Sequence, residues 1–544
     1  DEYADFEAGD HFLRISQTEK NMVEMVCENF DKVIVVYNGS NPMELGWVED
    51  YDQIGAVIWA AGPGNTGFNA LGRILTGEVN PSGRTPDTFV YDITETPYWN
   101  NAVKADYTNM EDMGVEGMNN GVPQMYYPAY INYAESIYVG YKYYETAYAE
   151  AQAGRMDFDY DTTVQYPFGH GLSYTTFEQS MSDLTVDGDT VRFDVTVTNT
   201  GDVAGKDVVE LYAQSPYTDY DRANGVEKAA VTLVGFAKTQ LLEPGESQTV
   251  EISFSEEQLK AYDANGAGTY ILDAGTYYVT AGREAHDAVN NVLAAKGAAV
   301  EGNVAMTATY VPDNADVDAT TYAADSYTGE KIENLFEEAA GDATYLTRAD
   351  WTGTWPAHDG TPLEGTVSTW GNEINGDDGV SYTYGKTASA ELIAQLDSTD
   401  SGNPDVQEWE GDLVYGAKNG LTLIQMRGLE YDDPAWDDLL DQLTPEDYDI
   451  LITQAGYGTD YIASVEKPAG TDADSTSGWS WGGIGMTFCN PAMVAQTWNV
   501  ELAYELGICI GDESLYGGAT GWYAPAMNIN RTAFSGRAGE YFSE

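Results

Sequence analysis

Two stretches of the 544-residue chain carry side chains suited to gripping a polar ligand. The first, Gly521 to Glu544, reads GWYAPAMNINRTAFSGRAGEYFSE, an apolar strand running into a loop with Asn530, Arg531, Arg537 and Glu540. A strand whose carboxyl end feeds such a loop is how barrel enzymes present substrate-binding groups. The second is DADSTSGWSW, in which Asp472 and Asp474 precede Trp479 and Trp481 in a Gly/Ser-rich loop. Aromatic faces pack against apolar ring faces, so both tryptophans are candidate stacking residues for a sugar. The bland reading of the Asp, Ser and Thr run is a surface turn. Trp522 lies inside an apolar strand and reads as core. His170 sits between glycines in FGHGLSY, where no Ser or Cys nucleophile motif accompanies it, so structural hydrogen bonding is expected. Cys27, Cys489 and Cys509 show no CxxC spacing, which supports neither a zinc site nor a disulfide framework.

The elements that position these residues fall into a multidomain α/β plus all-β layout. In residues 1–178, a helical pattern from Ser16 to Asn29 precedes the apolar run KVIVVY at Lys32 to Tyr37. The unit repeats as AVIWA at Ala56 to Ala60 followed by a helix at Gly67 to Leu75, so an open α/β sheet with buried parallel strands is expected. From 179 to 283 the period becomes two. TVRFDVTVTN at Thr190 to Asn199 alternates cleanly, a Thr200-Gly201-Asp202 turn follows, and Asp207 to Gln214 is expected as its partner strand. Further strands at Val231 to Phe236, Gln248 to Phe254 and Gly275 to Ala281 predict a fibronectin type III-like sandwich. Residues 284–420 show little period and read as a connecting region. In 421–544, helices are expected at Pro434 to Leu443 and Thr444 to Gln454. A longer helix over Pro491 to Gly507 would put Met493, Val494, Trp498, Leu502 and Leu506 in a core before the strand at Trp522. This reads as the start of a (β/α)8 barrel, with further strands expected beyond Glu544.

Composition narrows the partners. With 89 acidic against 24 basic side chains the net charge is -65, which repels nucleic acid and anionic lipid head groups. A neutral or cationic ligand fits better. No run of roughly 18 apolar residues is present. The acidity and the fibronectin-like module point toward an extracellular or cell-surface location, although Asp1 is not an initiator methionine and a missing leader says nothing.

Three motifs together resemble the family 3 glycoside hydrolases, many of which are β-glucosidases. NPSGRTPDTF at Asn80 to Phe89 is similar to a segment of that family's α/β domain, and YPFGHGLSYTTF at Tyr166 to Phe177 to its junction with the fibronectin-like domain. The Asn528-Ile529-Asn530-Arg531 run and the Gly536-Arg537 to Glu544 stretch resemble the barrel's Asn-x-x-Arg and Gly-Arg-x-x-Glu-Tyr-x-Ser-Glu signature. The α/β domain comes first and the barrel last, as in the family's permuted branch, and the resemblance implies that family sequence continues beyond both ends.

The resemblance implies a retaining, exo-acting hydrolase of β-glucosides or related β-linked oligosaccharides, with no metal or organic cofactor. Retention needs two carboxyl groups about 5 Å apart. The family's nucleophile, an Asp in a Ser-Asp-Trp-like motif on a late barrel strand, is expected downstream; Ala349-Asp350-Trp351 imitates the motif but precedes the barrel. The acid/base is a Glu in a Gly-Glu-Gly-x-Asp-like loop of the α/β domain. Glu2, with Asp5 at the right offset, is the candidate there, although the flanking glycines are absent and Glu7 has less context. Both carboxylates are therefore expected outside the chain, which would leave it inactive. Asp474 matches the second Asp of the family's Asp-x-Asp-Gly-Pro-x-Gly loop and would bind sugar hydroxyls; Arg537 would donate to the same sugar. Arg531 and Glu540 would pair to order the loop. Ser475-Thr476 and Ala538-Gly539 depart from the family pattern. They lend some weight to the alternative of a non-catalytic carbohydrate-binding or surface protein on a decayed hydrolase scaffold.

Overall fold

The computed structural model describes residues 11–98, 105–107, 109–119, 121–130, 133–334, 345–351, 368–369, 372–373, 387–396, 413–479 and 485–544. The first helix, Gln17–Asn29, starts where Ser16 accepts from the Glu19 amide while the Glu19 carboxylate accepts from Ser16 N at 2.7 Å, a reciprocal cap. The strand Val33–Tyr37 follows and pairs in parallel with Ile54–Trp59. These strands are not buried on both faces as the apolar runs predict. Ile34 is 49% exposed, and Met22 and Met25 of the helix are also exposed. Among the described residues this sheet has only two strands.

The sandwich forms as the period-two pattern predicts. Thr190–Asn199 buries alternate side chains, with Val191, Phe193, Val195 and Val197 all in the core. Its partners differ from the expected hairpin. It pairs with Ser247–Ser255 and Phe177–Met181, whereas Val208–Gln214 lies in the opposing sheet between Thr232–Lys238 and Tyr277–Gly282. The Thr200 turn therefore carries the chain between sheets, and Val209 and Leu211 meet the first sheet's Val side chains across the core.

Residues 285–310 are more ordered than the expected connecting region. Ala285–Ala295 is a helix whose Ala285, Ala288, Val289 and Val292 pack under Tyr141, Phe168 and Tyr212, and Thr307–Tyr310 adds a strand beside Tyr277–Gly282. The Ala and Val spacing of this helix was a readable signal, hidden by the polar, Ala-rich composition around it.

The last section contains two parallel strands, Gly470–Asp474 and Gly521–Tyr523, joined through the helix Val500–Gly517. Parallel neighbours require such a crossover. The long helix expected from Pro491 is two helices, Pro491–Gln496 and Val500–Gly517. Trp498 breaks it with φ of 48°, and Asn499 caps the second helix by accepting from Leu502 N at 3.1 Å. The break turns the indole inward: Trp498 is buried against Phe168 and Phe236, while Leu502 is 49% exposed instead of core.

Candidate functional site

Ala473 is fully buried, so the alternation of the Gly470–Asp474 strand turns the Asp474 side chain to the opposite face, at its carboxyl end. Asp474 lies opposite Tyr523 in the parallel register, and the Tyr457 hydroxyl donates to Asp474 Oδ2 at 3.2 Å. The rings of Tyr457 and Tyr523 meet edge to face at 6.1 Å and 89°. Both are exposed, at 54% and 68%. The hydrogen bond to Asp474, then the carboxylate's charge, raise the Tyr457 phenol above its ordinary value, while Arg537 acts in the opposite sense. Asp474 in turn adds to the forces that keep Arg537 protonated, after the hydrogen bond and charge of Glu540. A carboxylate, a guanidinium and two phenols thus share one open face at the strand ends.

Backbone and core contacts hold that face in place. Trp522 Nε1 donates to Ser475 O at 2.8 Å, fixing the turn after Asp474. Gly478 has φ of 100°, and a Cβ there would stand 2.5 Å from the Phe488 ring, so the turn needs glycine. Asn41 of the α/β domain donates to the carbonyls of Ala533 and Ser535 at 2.6 and 2.8 Å, which sets the loop carrying Arg537.

The expected site residues are sorted differently by the fold. Asp474 lies near enough to Arg537 for its charge to act on the guanidinium. Arg537 donates from Nε and Nη2 to Glu540 Oε2 at 3.0 and 2.7 Å, so Glu540 holds Arg537 and not Arg531. Arg531 is instead bound in two-pronged fashion to buried Glu135 and lies over the Tyr133 ring at 4.6 Å. The expected Arg531 and Glu540 pair does not form, because one side chain points into the α/β domain and the other along its own loop. Trp479 is 5% exposed, with its indole against Gly517 of the long helix, where even a Cβ would come within 2.4 Å of Nε1. That packing leaves no face for a sugar, so Trp479 supports the site from below. Trp481 and Glu2 lie outside the described residues. Asp350 is in an exposed turn. His170 pairs through Nδ1 with Glu284 at 2.8 Å at the junction of the first two domains.

Tyr457 and Tyr523 were missed by sequence reasoning. Tyr523 had a signal, since it follows Trp522 in the strand and must face the other way. The Tyr457 contact had none, because its loop returns 17 residues before Asp474. Tyr457→Phe is expected to weaken binding of a small polyol probe at this face by a few-fold, the worth of about 1 kcal/mol for one oriented hydrogen bond. Calorimetric titration of both forms measures it.

The site stands on strand ends beside an α/β domain and a β-sandwich. Residues 2–174 match the glycosyl hydrolase family 3 C-terminal domain and residues 207–285 the fibronectin type III-like domain. Residues 2–174 thus carry a domain of glycoside hydrolase family 3, and the chain as a whole is similar to β-glucosidases. It is 28% identical over 578 residues to beta-glucosidase A of Butyrivibrio fibrisolvens, covering 99% of this chain and 58% of that one. It is also 28% identical over 557 residues to a beta-glucosidase of Ruminococcus albus, covering 99% of this chain and 47% of the other. The fold resembles that of a beta-glucosidase from Paenibacillus barengoltzii, with a TM-score of 0.65 at 23% identity over 99% of this chain and 51% of that one. The chain spans about half the length of the curated relatives it matches.

Proposed function

We propose that this chain supplies the sugar-gripping half of a retaining, exo-acting β-glycosidase site, with β-glucosides as substrate class and a barrel begun by the two parallel strands. The observation that carries the reading is Asp474, oriented by the Tyr457 hydroxyl and flanked by Arg537 on an open face. A carboxylate accepts from two sugar hydroxyls, a guanidinium donates to others, and charge strengthens each bond. The exposed Tyr457 and Tyr523 rings offer an apolar edge to a pyranose. The β-glucosidase relatives, which match nearly the whole chain from end to end, support both the substrate class and the permuted domain order.

In this reading Asp474 and Arg537 bind and orient, and the attacking and protonating carboxyls of the retaining mechanism belong to other parts of the protein. Asp474→Asn is expected to weaken glucose binding by about tenfold or more, because a hydrogen bond to a charged group is worth ~1.5–3 kcal/mol. Unchanged affinity in calorimetry would sink the assignment. The 544-residue chain is expected to leave an aryl β-glucoside intact. Turnover abolished by Glu2→Gln or Asp350→Asn would place the chemistry within the chain and overturn that division of labour.

A further inference from the structure

A groove of about 380 Å³ opens at the junction of the α/β and fibronectin-like domains, lined by Arg84, His170, Leu172, Lys206 and Arg283 among others. That volume falls at the small end of the range for small-molecule sites, roughly 300–1,000 Å³. The groove is a built feature. Gly169 N donates to Thr85 O at 2.9 Å and Thr85 N to His170 O at 2.8 Å, pinning the FGHGLSY loop to the α/β domain. A Cβ on Gly171 would stand 2.3 Å from Gly83 O, so the loop lies directly against that backbone.

The balance of spent and unspent groups in the groove identifies the ligand chemistry. Each of its three carboxylates has a basic partner. Asp207 accepts from Arg84 Nη2 at 2.7 Å and from Gln179 Nε2 at 2.8 Å; Glu284 pairs with His170 Nδ1, and Asp287 accepts from Arg283 Nε at 3.0 Å. The donors are less fully used. Lys206 makes no hydrogen bond or ion pair with any described residue, and Arg283 uses only Nε of its guanidinium while 67% of its side chain is exposed. His170 spends Nδ1 on Glu284, which leaves Nε2 as the ring atom for a hydroxyl. Leu172, 78% exposed, adds an apolar contact.

We propose that this groove is a second carbohydrate site, distinct from the Asp474 face, that takes an acidic monosaccharide: the carboxylate to Lys206 and Arg283, a ring hydroxyl to His170 Nε2, and ring carbons to Leu172. The chain's charge of -65 does not prevent this, because salt screens distant carboxylates beyond about 8 Å and leaves the local donors to decide.

The test is to titrate the intact chain with glucuronate, glucose and acetate by calorimetry and ligand-observed NMR. Glucuronate is expected to bind at least about tenfold more tightly than either of the others. Lys206→Gln, at a partly exposed and unpaired position, should leave folding untouched and remove most of that preference; Asp474→Asn should leave it intact. No glucuronate binding, or equal binding of glucose that persists in Asp474→Asn, overturns the carboxylate pocket. Equal binding of acetate overturns the sugar contacts. Unchanged glucuronate affinity in Lys206→Gln, or its loss in Asp474→Asn, overturns the location.

Discussion

Lys228→Met is expected to cost about 3–5 kcal/mol of stability, the cost of removing one partner from a buried ion cluster. Lys228 is 5% exposed, and its Nζ donates to Asp221 Oδ1 at 2.7 Å, to Pro216 O at 3.2 Å and to Asp273. Both carboxylates are buried. Burial already raises the Asp273 carboxyl above its ordinary value, and the lysine's charge and hydrogen bond oppose that rise. Without the ammonium, two carboxylates would face each other in a dry site. The damage should spread, because the Lys228 carbonyl accepts from Arg348 Nη1 at 2.8 Å and Arg348 Nε donates to Glu150 at 2.7 Å. Glu150 belongs to the Tyr141–Gln152 helix of the α/β domain, so this cluster helps join the first two domains. Urea unfolding should show the loss, and hydrogen exchange across Val208–Gln214 should rise with it. Adding Asp221→Asn and Asp273→Asn should recover much of the stability. A single variant costing under about 1 kcal/mol would show that water or a shifted side chain already neutralises the carboxylates.

Local periodicity explains how much could be read from the chain. Thr190–Asn199 carries its pattern within ten residues, and the structure keeps its alternation intact. Which strand it pairs with is a question of sheet assignment. Val208–Gln214, buried at every position, belongs to the other sheet, and nothing in its own composition says so. The break at Trp498 is an intermediate case. Asn499 ahead of Val-Glu-Leu-Ala is a capping signal, but the apolar residues on either side continue helical spacing through it. Of the proposed binding residues, Asp474 and Arg537 stood out through motif, whereas the partner of Arg531 could not be found that way. Glu135 is 396 residues distant, in a segment with no chemical pattern of its own. The tryptophans misled for a physical reason: a Gly/Ser-rich loop suggests exposure, yet the glycine at 517 makes room for the Trp479 indole inside.

The second large effect is on pH. Between about pH 4.5 and 7 the protein is expected to lose stability as pH rises, and above about pH 7 part of the loss should be recovered. The falling limb comes from Glu544, whose carboxylate accepts from Thr88 N at 2.9 Å and Tyr141 N at 2.7 Å, close to buried Asp87. Burial pushes Glu544 up from 4.5 to about 7, against the opposing hydrogen bonds of Thr88 and Tyr141. Burial and then the charge of Glu544 push Asp87 in the same direction, with Asn530 opposing. In this range the folded chain keeps a proton that the unfolded chain releases, so folding is penalised by up to ~1.4 kcal/mol per pH unit for each such proton. The recovering limb comes from Lys238, whose Nζ donates to Ser82 O at 2.8 Å and Thr497 O at 2.6 Å across three sections of the chain. Burial, then Lys206 and Arg84, lower it from 10.5 to about 7. The folded chain therefore sheds that proton before the unfolded chain does, and the penalty of burying the charge fades as pH rises from about 7 toward 10.5. Urea midpoints measured from pH 4.5 to 10 should trace both limbs. Glu544→Gln should flatten the lower limb and Lys238→Met the upper; a Glu544→Gln slope equal to wild type would assign the acid limb to the general repulsion of a highly acidic surface. Asn530 donates to Asp87 at 2.8 Å and lies in the same docked segment as Arg537. Weaker docking near pH 7 should therefore also lower the affinity of the Asp474 face for glucose, and Glu544→Gln should restore it.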